Sequence, residues 1–416
     1  MAGAICEFAE NRRWRGTFKP NPLRRQRLQE EDITYALTRA HFDAPLFERL
    51  TSSMTADPMA TAQHLAQLAQ EAIDDNRFAE AKELFEQTYT CLVAAHSALP
   101  ISFKLVTRDS LPHLASEEHI IANISQSEIT FIAMLEFIAR PCSDFRRMPM
   151  LGHLCSDVAR FISGPETYQC VFDTGDGFDE GPYYRFAYSS ALPQTGLILD
   201  PYLYIFQNYD GLRVHAASQA QPWTNRKNVL FWRGTTTGRR SYTPAADTSP
   251  AWDWLPRLHL CAASRASRFA DHMDIAITEM GQIGEPHLRQ AITSAGLLGD
   301  PIAKKDFCDY KYQIDIDGHT NSWSLIEKFI MGSTVFKVRS AEGFRQWYYD
   351  RLKDWDTHIP IAADLSDLDE KMEWALTHPA ECERIAANGA ALAATIQLPA
   401  AWAEAQATLI GNWRRI

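Results

Sequence analysis

The sequence predicts an α/β protein made of two consecutive doubly wound units behind an N-terminal helical segment. Three observations carry this reading. The chain has 416 residues, more than one hydrophobic core usually organises. From about residue 100, short apolar strands alternate with helical stretches. The same alternation restarts after Asn225.

In chain order, residues 57–95 read as a helical hairpin. Asp57-Pro58 supplies a capping residue followed by proline in the first turn, and Leu65, Leu68, Ala69 and Ala72 recur at helical spacing. After Asp74-Asp75-Asn76, the residues Phe78, Ala81, Leu84, Phe85 and Tyr89 mark a second arm, without a second copy of the pair. Strands are expected at Ile101–Val106, Gln169–Asp173 and Tyr184–Tyr188, and a long helix from Ile120 to Arg140, stopped by Pro141. The second unit is expected to place strands at Val229–Trp232, Tyr312–Ile316 and Thr334–Val338. Helices are expected at Ser324–Ile330 and Asp364–Ala387, with Gly389 as a C-cap. The implied boundaries are 1–99 for a basic arm and hairpin, 100–225 and 226–395 for the two units, and 396–416 for a C-terminal helix.

A net charge of −11 argues against nucleic acid as a partner. One segment departs from it: Arg12, Arg13, Arg15, Lys19, Arg24, Arg25 and Arg27 stand with Trp14 and Phe18 and no acid between them. Such an arm suits peripheral contact with an anionic membrane, and equally a solvated tail. No apolar run is long enough to span a bilayer, and Met1–Cys6 soon meets Glu7 and Glu10, unlike a secretory signal. Eight scattered cysteines without a Cys-x-x-Cys pair suit free thiols in a reducing, cytoplasmic setting. Eleven Trp and fourteen Tyr provide rings of the kind that pack on sugar faces, or that fill a large core.

Ligands of open α/β sheets bind beyond the carboxyl ends of strands, which singles out three loops. The first, Arg233-Gly234-Thr235-Thr236-Thr237-Gly238-Arg239-Arg240, combines glycines, hydroxyls and guanidiniums, a set that suits a diphosphate or a plain polar turn. It lacks the Gly-Lys-Ser/Thr of a Walker loop. The second, Asp317-Gly318-His319-Thr320-Asn321-Ser322-Trp323-Ser324, leads from a strand into a helix. Its N–H groups suit phosphate oxygens, unless its serines merely cap the helix. The third, Asp173-Thr174-Gly175-Asp176-Gly177-Phe178-Asp179-Glu180, crowds four carboxylates without an EF-hand register. Crowding and burial raise a carboxyl pKa toward that of a general base.

Taken together, Trp232-Arg-Gly-Thr-Thr-Thr-Gly238, Asp309–Gly318, Thr334-Val-Phe-Lys337, Trp355–Ile361 and Asp364–Leu368 resemble, in order, the sequence blocks of glycosyltransferase family 90 over roughly residues 165–395. The resemblance implies a GT-B fold, two Rossmann-like domains facing across a cleft. It also implies inverting transfer from a UDP-sugar co-substrate, with no metal and no other cofactor. By the same likeness, Asp176 takes the place of the catalytic base. Donor contacts fall on Arg233, Gly234, Thr235, Arg239, Arg240, Gly318, His319, Thr320, Asn321, Ser322 and Trp323. Where the family has Ser-Phe-Arg, this chain has Ser322-Trp323-Ser324, so Arg239, Arg240 or Lys328 is expected to supply the missing charge. The absence of paired cysteines points to a bacterial type of acceptor, an oligosaccharide or lipid-linked glycan of lipopolysaccharide or capsule. The alternatives are a glycan- or partner-binding protein that keeps the fold without the chemistry, and a glycoside hydrolase using two of the clustered acids.

Overall fold

The structure, a computed structural model, describes residues 56–416 apart from 76, 112–115, 117, 140–146, 176, 178–181, 239–254, 282 and 285. The basic arm therefore lies outside the described residues. The chain divides into two units. Among the described residues, one comprises 56–205 together with 398–416, the other 206–397.

In the first unit, helices α1 (Ala56–Asp74) and α2 (Phe78–Ala94) form the expected hairpin. Its second arm covers an edge of the sheet. The Glu86 carboxylate of α2 accepts from the Leu105 N–H at 2.7 Å and the Thr90 hydroxyl from the Phe103 N–H at 2.9 Å. Both donors belong to β1 (Ile101–Val106), which among the described residues pairs only with β3. An exposed row of strand N–H groups invites pairing with other chains, and α2 removes that row from solvent. Tyr89 of α2 stacks on Phe103 with ring centroids 4.8 Å apart.

The expected helix at 120–140 is instead an antiparallel pair, β2 (His119–Ile124) and β3 (Ile129–Met134), followed by a short 3-10 turn at Leu135–Ala139. A run of buried apolar residues has no periodicity to tell strand from helix. Here β-branched Ile120, Ile121, Ile124, Ile129 and Thr130 favour the extended form. Ser125 closes the turn, its N–H and hydroxyl both donating to the Glu128 carbonyl. The sheet is thus mixed rather than parallel. Its order is β1-β3-β2-β4-β5-β6, with β4 at Tyr168–Asp173, β5 at Arg185–Ala187 and β6 at Gly196–Leu197. Helices α3 (Met148–Ala159) and α4 (Pro201–Ile205) follow β3 and β6.

The second unit holds α5 (Asp210–Gln219), β7 (Lys227–Thr235), α6 (Pro256–Ala266), β8 (Met273–Glu279) and α7 (Pro286–Ser294). It continues through β9 (Tyr310–Asp315), α8 (Leu325–Ile330), β10 (Thr334–Val338) and β11 (Ile359–Ile361) to α9 (Leu368–Thr377) and α10 (Pro379–Thr395). Its five strands are all parallel in the order β11-β10-β9-β7-β8, as the alternation predicts. Leu230, Ile275, Tyr312, Ile314, Phe336 and Ile359 fill the core. The single helix expected over 364–387 is broken at His378-Pro379, where proline opens α10. Gly389 lies inside α10 instead of capping it, because a Cβ there would stand 2.7 Å from the Phe329 ring of α8.

From the second unit the chain returns to the first. Helix α11 (Leu398–Asn412) packs on α3, with Trp402 and Gln406 both donating to the Asp157 carboxylate, at 2.7 and 3.0 Å. Strand β12 (Arg414–Arg415) then pairs antiparallel with the start of β4.

Candidate functional site

Within the parallel sheet, β7 lies between β8 and β9. The chain leaves β7 through α6 to β8 on one side, then crosses to β9 on the other. That reversal is a topological switch point, the place where open α/β sheets bind ligands. The segments at the carboxyl ends of the flanking strands, 236–238 and 316–323, belong to two of the three loops singled out in the sequence.

The structure brings them together. A Cβ on Gly318 would stand 3.1 Å from the Thr237 hydroxyl, and one on Gly238 would stand 3.8 Å from the Gly318 carbonyl oxygen. Between them lies Arg257, in the first turn of α6, which sequence reasoning missed. Its Nε donates to the Asp317 carbonyl at 3.2 Å, and its Nη1 donates to the Thr235 carbonyl at 3.4 Å and to the Thr237 hydroxyl. The guanidinium lies over the Trp232 indole, 5.8 Å from a ring centroid. That indole also fills the space beside Gly234, where a Cβ would collide with it. The pairing of Trp232 with Gly234 thus has a local cause: the glycine admits the indole, and the indole supports Arg257. Burial lowers the Arg257 pKa to about 10, against the pull of Asp315 and Asp317, so the group stays charged at neutral pH. Its only hint in the sequence is Pro256-Arg257 opening a helix, separated from the loop it serves by a long polar stretch.

The second loop is built around buried polar groups. Gly318 N–H donates to the Thr320 carbonyl at 2.8 Å, closing a tight turn. Thr320, Asn321 and Ser322 are buried, while His319 and Trp323 are partly exposed. Four buried atoms of the two loops, Thr236 Oγ1, Asp317 Oδ1, Thr320 Oγ1 and Asn321 Oδ1, have no hydrogen-bond partner among the described residues. Native structures rarely leave such groups unsatisfied, so a cluster of them points to a ligand.

Beneath this loop the expected extra cation, Lys328, is already neutralised. Its ammonium donates to Asp315 Oδ1 at 2.6 Å and to Ser324 Oγ at 2.7 Å, while Lys337 approaches Asp315 Oδ2 at 3.3 Å. Burial alone would raise the Asp315 pKa, but the two lysines overrule it and hold it at about 2. Helix α8, six residues long, is too short to present a substantial dipole, which weakens the expected helix-end contribution.

Arg233 points elsewhere. Its guanidinium pairs with Asp274 at 2.6 Å and donates to the carbonyls of Trp232, Asp274 and Asp300. It ties β7 to its neighbours instead of facing the second loop. Thr235 donates to the Thr237 hydroxyl at 3.3 Å. Arg239 and Arg240 lie outside the described residues.

The third loop follows β4 in the first unit, and Asp176 itself lies outside the described residues. Asp173 is fully committed: Oδ1 accepts from the Gly175 N–H at 3.0 Å and Oδ2 from Arg185 at 3.1 Å. Arg147 donates to the carbonyls of Thr174 and Gly175. A Cβ on Gly175 would collide with the Glu118 carboxylate, and one on Gly177 (φ +79°) with the Ser189 carbonyl. Gly175 and Gly177, on either side of residue 176, are therefore closely packed.

Residues 208–396 match the family model described as glycosyl transferase family 90. Protein O-glucosyltransferase 2 of Danio rerio is 40% identical over 90 residues, 22% of this chain and 18% of that protein. Protein O-glucosyltransferase 3 of Homo sapiens is 33% identical over 94 residues, 23% of this chain and 18% of that protein. Uncharacterized protein 027R of Frog virus 3 is 28% identical over 193 residues, 43% of this chain and 19% of that protein. The matched stretches thus span less than a fifth of these relatives' lengths. A crystal structure of Anabaena HepE in complex with UDP-glucose aligns with 50% of this chain and 52% of that one at 12% identity and a TM-score of 0.30, too loose a likeness to carry an argument. Residues 208–396 of this chain are thus similar to glycosyl transferase family 90 and to protein O-glucosyltransferases.

Proposed function

We propose that the chain is a glycosyltransferase of GT-B type that moves a hexose or pentose from a UDP-sugar to a glycan hydroxyl by an inverting, metal-independent route. The observation that carries this reading is the meeting of two loops around Arg257 at the switch point, with buried donor and acceptor atoms left unsatisfied. In this scheme Arg257, the hydroxyls of Thr235–Thr237 and the 318–323 turn hold the diphosphate. A fixed cation beside the leaving UDP stabilises the charge that builds as the glycosidic bond breaks, the role a metal plays elsewhere. Arg257 also takes over the task that the sequence assigned to Arg239, Arg240 or Lys328.

Asp176 is assigned as the base that takes the proton from the attacking acceptor hydroxyl. Support for this comes from the close packing of Gly175 and Gly177 and from Asp173 being committed to Arg185 and Gly175. The acceptor we favour is an oligosaccharide or lipid-linked glycan. Among the described residues, no helix is long and apolar enough to cross a membrane.

The test is a calorimetric titration of UDP into the wild type and the Arg257→Ala variant, with a transfer assay on Asp176→Asn. The reading expects micromolar-range UDP binding that weakens roughly a hundredfold or more in Arg257→Ala, consistent with a lost charge-assisted pair. It expects Asp176→Asn to bind UDP normally and transfer almost nothing. A wild type that ignores millimolar UDP favours the non-catalytic binder.

A further inference from the structure

The donor and acceptor balance of the pocket says more than that an anion binds there. A diphosphate brings only acceptors and negative charge. Arg257, the loop N–H groups and the threonine hydroxyls can answer those. Asp317 cannot. Its Oδ1 is buried without a donor among the described residues, and ionised carboxylate oxygens only accept. The next residue, Gly318, packs against the Arg257 guanidinium, so a second negative charge stands close to where the diphosphate is placed. By itself that charge repels the ligand. Asn321 Oδ1, on the same loop, likewise lacks a donor, because its amide nitrogen is the atom that bonds, to the Ser322 carbonyl at 3.2 Å.

Both acceptors suit a ligand that carries hydroxyl or N–H donors next to its anionic group. A nucleoside diphosphate sugar has that composition, and its sugar supplies hydroxyls on the leaving side of the phosphates. We infer that Asp317 is a specificity-determining residue of the donor site, accepting a hydrogen bond from a hydroxyl of the transferred sugar, with Asn321 as the companion acceptor. The inference rests on the donor-site reading above and deepens it. It gives this acid a gain that the diphosphate alone does not provide. A site built to bond a hydroxyl discriminates strongly against a ligand that lacks it, because the buried acceptor is then left bare.

The experiment compares UDP with UDP-glucose, UDP-xylose, UDP-galactose and UDP-N-acetylglucosamine by calorimetry, on the wild type, Asp317→Ala and Asp317→Asn at pH 7.5. The expected result is that the tightest UDP-sugar of the wild type loses roughly 10- to 100-fold in affinity in Asp317→Ala. UDP itself should keep its affinity or gain, since a repelling charge is gone. Asp317→Asn, close in shape, guards against misfolding and should retain part of the sugar affinity through its carbonyl oxygen. Equal weakening of UDP and UDP-sugar in both variants, or no weakening in either, overturns the assignment and leaves the donor site standing. A wild type that binds neither UDP nor any UDP-sugar overturns the donor site itself.

Discussion

The Arg257 guanidinium occupies ground that a side chain at Gly318 would need: a Cβ on Gly318 would lie 2.8 Å from its Nη2. The obstacle is the far end of a flexible side chain, so the fold can yield where the site cannot. Gly318→Ala should lower the melting temperature only slightly, within the roughly 1–3 kcal/mol typical of mild overpacking. It should weaken UDP binding about tenfold or more by pushing Arg257 off the Thr235 carbonyl and Thr237 hydroxyl. Thermal melting alongside UDP calorimetry checks this, and unchanged UDP affinity contradicts it.

Lys328 and Asp315 form the buried pair beneath the same loop, both almost fully buried. Removing one partner of such a pair strands the other, which typically costs about 3–5 kcal/mol. Lys328→Met and Asp315→Asn should each destabilise by that order, and the double variant by clearly less than their sum. Lys337 softens the Lys328→Met case, since it remains within 3.3 Å of Asp315. Denaturant unfolding of the three variants supplies the cycle.

The second unit was the more legible in sequence, and its strands show why. Thr334–Val338 falls where expected, and Tyr310–Asp315 and Lys227–Thr235 differ only at their ends, because strands buried in a parallel sheet are compact apolar runs between polar loops. The same cue failed at 120–140, where two buried strands joined by Ser125–Glu128 passed for one helix. At the candidate site, the two loops could be named because each follows its own strand. Arg257 could not, since it reaches them only by folding α6 back over the sheet. The roles of Arg233 and Lys328 were likewise hidden, because Asp274 and Asp315 take up their charges through contacts between neighbouring elements that no local pattern records.

Two glycines of the first unit share a left-handed backbone and differ in surroundings. Gly164 has φ +82° and open space, with nothing within 4 Å of where a Cβ would stand. Gly177 has φ +79°, and a Cβ there would run into the Ser189 carbonyl oxygen. Gly164→Ala should therefore cost only the conformational penalty, about 1–2 kcal/mol. Gly177→Ala adds a collision with backbone and should cost clearly more. Comparing their denaturation midpoints tests this; equal losses would mean that the Ser189 contact is not a constraint.

The last prediction concerns pH. Burial raises the Asp317 pKa to about 6, with Asp315 of β9 acting in the same sense and Lys337 of β10, Ser340 and Arg257 of α6 opposing. A carboxyl group whose folded pKa is raised holds its proton more tightly when folded. Its favourable contribution is complete below the unfolded value near 4 and is lost as pH climbs through about 6. His358 acts oppositely over the same range: burial, with Lys337, lowers it to about 4, so its contribution grows as pH rises. The wild-type curve therefore mixes two slopes, and the difference between Asp317→Asn and wild type isolates one of them. That difference should be near its minimum at pH 4 and grow in favour of the variant up to pH 7, by at most roughly 3 kcal/mol for a shift of about two units. Below pH 4 the Asp315 pair weakens in both proteins alike and leaves the difference unchanged. Melting temperatures measured for both proteins across this range decide the matter. A variant more stable than wild type at neutral pH, yet poorer at holding a UDP-sugar, is the combination that separates a ligand-reading carboxylate from one that merely props up the loop.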